Sequence, residues 1–186
     1  MNKRLVGSVD YILESIKYSF DNLNCESIEK TVELLTSANN VFVYGSGRSG
    51  LVGRTFAMRL MQLGIESFFI GETITPAVKP GDCVFFVSKT GETQTAIQAA
   101  EIVDNRVENS DIIVLTASPK SSLAELGDVV IPLESIDNSE KNRELAPLGT
   151  IFEDTAMIFL DGLVAVLMEE LDEYEEEMKD RHPILI

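Results

Sequence analysis

The chain's 186 residues, 45% hydrophobic and 25% charged, have the make-up of one globular domain long enough to bury a substantial core. A formal net charge of −16 argues against nucleic acid and anionic membrane surfaces as partners, and with no apolar run of about 18 residues no transmembrane helix is expected. Cys25 and Cys83 form no metal or redox spacing, and Met1-Asn2-Lys3-Arg4 leads into a charged amphipathic pattern instead of a signal core, so a reducing cytoplasm is the natural compartment.

Residues 1–38 read as two helices. Val9, Ile12, Leu13, Ile16, Phe20 and Leu23 share one face of the first; Ile28, Val32 and Leu35 mark the second, with Ser27 as its cap. From residue 39 to 149 the pattern changes to short continuous apolar runs: Val41–Tyr44, Ser67–Ile70, Cys83–Val87, Ile112–Leu115 and Val129–Ile131. None alternates apolar with polar, so each is expected to be covered on both faces, as in a parallel sheet. Helical stripes separate several of them, Val52-Phe56-Leu60-Leu63 after the first and Ala96-Ile97-Ala100-Val103 after the third. Strand and helix in alternation predict an α/β three-layer sandwich around a five-stranded parallel sheet. The stretch from Glu134 to Gly149 reads as an irregular loop, longer than most connections and therefore a place for function. Residues 150–178 read as one long helix striped with Phe152, Ala156, Phe159, Leu163, Leu167 and Leu171. Its end, from Glu169 to Glu177, is acidic and expected to fray in solvent. The tail, residues 179–186, closes on Ile184-Leu185-Ile186, either docked on its own domain or lent to a neighbour. The apolar surface of the N-terminal helices and the last helix exceeds what one sheet face needs, which points to burial between subunits.

Two strand-to-helix turns carry the chemistry. Ser88-Lys89-Thr90-Gly91-Glu92-Thr93 follows the third strand and opens a helix. The first N–H groups of a helix lack internal partners and carry partial positive charge, while Ser88, Thr90 and Thr93 add hydroxyl donors and Gly91 permits close approach. Together they suit a phosphate monoester, against the plainer reading of an ordinary N-cap. Gly45-Ser46-Gly47-Arg48-Ser49-Gly50 follows the first strand and matches GxGxxG, with Glu72 where a ribose-binding acid would stand. A dinucleotide would leave the second turn unused. Paired turns over neighbouring strand ends instead fit a phosphate at one and sugar hydroxyls at the other. Arg48, Arg54 and Lys89 are the nearby cations.

These turns, the five-strand pattern and Pro147-Leu148-Gly149-Thr150-Ile151-Phe152-Glu153 resemble the sugar isomerase (SIS) domain, and more narrowly the 6-phospho-3-hexuloisomerase family. Gly47-Arg48-Ser49-Gly50, Phe56-Ala57-Met58-Arg59-Leu60, Gly71-Glu72-Thr73 and Arg181-His182 extend the likeness over nearly the whole length. The resemblance implies a flavodoxin-like strand order and interconversion of 3-hexulose 6-phosphate and fructose 6-phosphate in the ribulose monophosphate pathway, for formaldehyde fixation or pentose supply. It implies no metal, no cofactor and a cytoplasmic homotetramer. Gly45, Ser46, Gly47, Arg48 and Ser49, with Ser88, Lys89, Thr90, Gly91 and Thr93, are then the substrate-binding residues.

Moving a carbonyl from C3 to C2 needs a base for the carbon-bound proton and an acid that shuttles protons between the oxygens. Glu153 is the family's match for the base; from spacing alone, Thr150 and Glu153 equally fit a helix capping box, and Asp154 competes as the carboxylate. His182, the only histidine, is by itself a solvated bystander, but the resemblance makes it the shuttle, entering the site of an adjacent subunit. Other phosphosugar isomerases and phosphosugar-sensing SIS proteins are the alternative readings.

Overall fold

Parallel pairing of the five apolar runs builds the molecule. The structure, a computed structural model, describes residues 2–136 and 139–183. The strands are β1 (Val41–Gly45), β2 (Ser67–Phe69), β3 (Cys83–Val87), β4 (Asp111–Thr116) and β5 (Val129–Pro132), in the order β2-β1-β3-β4-β5. This is the flavodoxin-like order, and the register sets Gly45 beside Val87, so the two hydroxyl-rich turns leave neighbouring strand ends at the switch point.

Successive β3 residues explain why the run is continuously apolar. Phe85 packs among α2 (Cys25–Ser37), α3 (Gly47–Gln62) and α6 (Thr150–Glu170), while Val84 and Phe86 face α4 (Gln94–Arg106) across the sheet. All five β3 residues are buried, and exchanging one such large side chain for alanine costs about 2–5 kcal/mol. The α4 face is the one read from the pattern: Ala96, Ile97, Ala100 and Val103 are its buried residues.

Four local features differ from the sequence expectation. First, α1 (Lys3–Asp21) buries Tyr11, Ser15, Ile16 and Ser19 and leaves Val9 and Leu13 exposed. The serines are made soluble in the interior by their own bonds, Ser15 Oγ donating to the Tyr11 carbonyl at 2.8 Å and Ser19 Oγ to the Glu134 carbonyl. Second, Asn24 caps α2, its side chain accepting from the Glu26 N–H, and Ser27 instead donates to the Asn24 carbonyl at 2.9 Å. Third, the expected loop contains a short helix, α5 (Ser139–Leu145). Fourth, residues 150–178 are not one helix. The chain leaves α6 at Leu171, Asp172 takes a left-handed φ of 52°, and α7 (Glu175–Asp180) begins. Glu175, Glu176 and Glu177 therefore sit in a first turn, where negative charge favours the dipole, and Glu177 accepts from the Tyr174 N–H at 3.1 Å. The second half of the acidic run is thus a start signal, while Glu169 and Glu170 stand exposed in the last turn of α6, as a solvated end was expected to.

The tail is fastened where it leaves α7. Arg181 forms a bidentate pair with Glu173 at 2.7 and 2.8 Å and donates to the Gln62 carbonyl at the end of α3. The expectation for Ile184-Leu185-Ile186 lies outside the described residues. Among the described residues no helix is long and apolar enough to cross a membrane.

Candidate active site

At the carboxyl edge of β1 the chain turns through Gly45 and Ser46 into α3. A Cβ on Gly45 would lie 2.7 Å from the Ser49 carbonyl oxygen, and Gly47 takes a φ of 57°, so both positions require glycine. Ser46 is the N-cap of α3 yet makes no side-chain capping bond. At the edge of β3, Thr93 likewise caps α4 without spending its hydroxyl. The plain capping role weighed against an anion site is thus absent at both helix starts. Ser88 Oγ accepts from the Gly91 N–H and Thr90 Oγ1 from the Glu92 N–H, each at 3.2 Å, which leaves both hydroxyl hydrogens to donate. Gly91 takes a φ of 62°, and a Cβ there would collide with the Ser121 hydroxyl. Glu92 turns away to accept from the Ser122 N–H and O–H, both at 2.9 Å, and these bonds hold its carboxyl below the usual carboxylate range.

Glu153 stands in the first turn of α6, beside the start of α3, and is only 8% exposed. Its Oε1 accepts from Ser49 Oγ at 3.3 Å, while its buried Oε2 has no hydrogen-bond partner among the described residues. Leaving a buried acceptor unpaired costs about 1–3 kcal/mol, so the position of this oxygen calls for a reason other than stability. The capping box with Thr150 is not formed: Gly149 is the N-cap of α6, and Thr150 Oγ1 donates to the Pro147 carbonyl at 2.8 Å. Asp154, the competing carboxylate, is bound by Arg48 at 3.1 Å. Gly149 bears on this carboxylate in a way the sequence reading passed over. A Cβ there would fall on the Glu153 carboxylate, so only glycine leaves room for it. Its neighbour Leu148, 93% exposed, holds a left-handed φ of 61° and offers its carbonyl to Lys89 Nζ at 2.9 Å.

The cations are mostly engaged. Arg48 also donates to Thr150 Oγ1, and Arg54 lies 4.0 Å above the Phe69 ring while pairing with Glu72. Glu72, the acid that a dinucleotide would need for its ribose, is therefore occupied. Tyr44, another residue the sequence reading left aside, ties the end of β1 to α4 through Thr95 Oγ1 at 2.8 Å. Its polar tip in an otherwise buried strand was the available signal.

His182 is not brought to Glu153. It is exposed at the rim of a cavity formed by Arg59, Gln62, Met168 and Met178, at the opposite ends of α3 and α6. Ser49 touches Glu153 at one end and Gln62 lines the cavity at the other, so at 1.5 Å per residue the two places are about 20 Å apart. Within one chain the imidazole and the carboxylate cannot serve the same substrate carbon.

The SIS domain family model matches residues 34–160. The chain is 37% identical over 155 residues to the 3-hexulose-6-phosphate isomerase of Methanocaldococcus jannaschii, covering 83% of this chain and 82% of that protein. It is 30% identical over 174 residues to the 3-hexulose-6-phosphate isomerase of Bacillus subtilis, covering 92% and 93%. A crystal structure of a Methanococcus jannaschii protein, described as inferring a 3-hexulose-6-phosphate isomerase function, superposes with a TM-score of 0.84 at 34% identity, covering 96% of this chain and 98% of that one. Sequence pattern and strand order agree with these likenesses: the chain belongs to the SIS domain family.

Proposed function

We propose that this SIS protein is a 6-phospho-3-hexuloisomerase, interconverting 3-hexulose 6-phosphate and fructose 6-phosphate through an enediol. In this reading it acts in the ribulose monophosphate pathway of the cytoplasm, in formaldehyde fixation or its reverse, as a homotetramer. The relatives' names support the substrate pair. The observation that carries the chemistry is the buried Glu153 carboxylate, one oxygen unpaired and the other bonded to Ser49 in the first turn of α3.

The phosphate occupies the corner from Ser88 to Thr93, gripped by the hydroxyls and the first N–H groups of α4, with Lys89 at its edge. The sugar hydroxyls lie over Gly45, Ser46, Gly47 and Ser49, with Arg48 beside them. Glu153 takes the proton from C2 of the 3-ketose, the C–H electrons become the C2–C3 double bond, and O3 accepts a proton from the shuttle. The O2 hydroxyl then loses its proton, the C2 carbonyl forms, and Glu153 returns hydrogen to C3. The shuttle is His182 of the partner subunit, since the chain's own imidazole is about 20 Å from its own carboxylate.

The test is conversion of 3-hexulose 6-phosphate set against pentose 5-phosphates, with deuterium uptake into fructose 6-phosphate followed in heavy water. Turnover of the hexulose with label incorporation is expected. Preference for a pentose phosphate moves the protein to another isomerase activity, and binding without exchange makes it a sensor.

A further inference from the structure

We infer that Arg59 is a catalytic residue of the neighbouring subunit's site, where its guanidinium meets the oxyanion that develops on O2 and O3 of the substrate. This rests on the shared-site reading above and adds a group to it.

The starting observation is an unsatisfied donor. Arg59 Nη1 donates to Gln62 Oε1 at 3.0 Å, but the buried Nε has no hydrogen-bond partner among the described residues. Arg59 lines a cavity of about 430 Å³ whose rim carries His182 and whose walls include the Met58, Met168 and Met178 thioethers. The one carboxylate lining it, Glu175, is paired with Lys179 at 3.1 Å, so among the described residues the guanidinium is met there by the neutral Gln62 amide and by no countercharge. The other end of α3 shows the converse shortage. There the substrate crevice has its arginines committed, Arg48 to Asp154 and Arg54 to Glu72, while the chain carries a net charge of −16. A phosphorylated enediolate placed in that crevice lacks a free cation at its carbon end.

Bringing the partner's His182 to Glu153 supplies one. Arg181, the residue before His182, is bonded to the Gln62 carbonyl at 3.0 Å, and Gln62 is the residue bonded to the Arg59 guanidinium. Imidazole and guanidinium are thus fixed to the same end of α3 and travel together into a neighbouring site. Covered by a neighbouring subunit, the thioethers beside them would shed their water, which strengthens the attraction between guanidinium and oxyanion.

The experiment uses the intact oligomer and assigns Arg59 to one half of the site. Arg59→Gln should keep its Tm and lose about 10²–10³-fold in kcat, the range for one donor to a developing oxyanion. It should also lose affinity for a phosphorylated sugar acid, whose carboxylate mimics the enediolate, while binding a sugar alcohol phosphate unchanged. Verified mixed oligomers of Arg59→Gln with Glu153→Gln should regain activity, because intact halves meet. Mixtures of Arg59→Gln with His182→Ala should not, because both lesions lie on the donated half. The reverse pattern of rescue, or equal loss of affinity for the acid and the alcohol, overturns the inference. If Glu153→Gln with His182→Ala gives no rescue, the shared site itself fails; rescue there without rescue of Arg59→Gln by Glu153→Gln removes Arg59 alone. Should Arg59→Gln not fold, Arg59→Lys, which keeps charge but not the planar fork, enters the same mixtures with the same expected pattern.

Discussion

Replacing Glu153 by glutamine isolates the proton-transfer step from everything else the side chain does. The amide has the size of the carboxylate, so the Ser49 contact at 3.3 Å and the packing under Gly149 are both retained. What is lost is the unpaired oxygen's ability to accept a proton. A positioned general base contributes about 10²–10⁴-fold, or about 2.7–5.4 kcal/mol at 1.36 kcal/mol per decade. The fall should appear in kcat with KM nearly unchanged, because the phosphate is gripped at the corner from Ser88 to Thr93 and not by Glu153. Burying an amide in place of a carboxylate with one unsatisfied oxygen should leave Tm level or raised. Deuterium incorporation into fructose 6-phosphate in heavy water, followed by NMR, reads the step directly. Exchange within threefold of the native rate would refute the assignment, and an equal loss of binding and turnover would make Glu153 a substrate-positioning group instead.

Gly149→Ala should leave the fold intact, since its φ of −99° suits alanine, but the added Cβ must push the Glu153 carboxylate aside. A fall of at least about tenfold in kcat with an unchanged Tm is expected, the size of effect that follows small misplacements of a catalytic group. The double substitution Ser88→Ala with Thr93→Ala should raise KM for phosphosugars, each lost bond to a charged group being worth about 1.5–3 kcal/mol; isothermal titration with equal affinity would move the phosphate elsewhere. Arg181 holds the Glu173 carboxyl below its ordinary value of 4.5, so the pair's contribution is fully present above that value and is lost as pH falls through the depressed one. Hydrogen-exchange protection of the α7 amides, taken relative to their intrinsic rates, should therefore fall on acidification below the ordinary carboxylate range, and Glu173→Gln should abolish that fall.

Much of the sheet was legible because a doubly covered strand has one signature. Val84, Phe85 and Phe86 face different layers, so no polar position interrupts them. The two hydroxyl-rich turns were legible as strand-to-helix corners for a related reason, that each stands between an apolar run and a helical stripe. The orientation of α1 was not, because its buried serines are satisfied by the Tyr11 and Glu134 carbonyls, one in its own helix and one far along the chain. Nor was the break after α6: Asp172 adopts a left-handed conformation with neither glycine nor proline to mark it. Spacing left Glu153 poised between cap and base. Only the third dimension, with Gly149 as the cap of α6 and Thr150 bonded to Pro147, removes the capping box from that pair.

Placing Glu153 and His182 at opposite ends of the same helix pair has an operational consequence. On the proposed chemistry a dissociated protomer is a folded but inert protein, so specific activity must climb with enzyme concentration until assembly is complete. Dilution then acts as an off-switch requiring no effector. A variant damaged on both halves that still assembles would also poison the neighbour it joins, lowering the output of a mixed population below the fraction of intact chains.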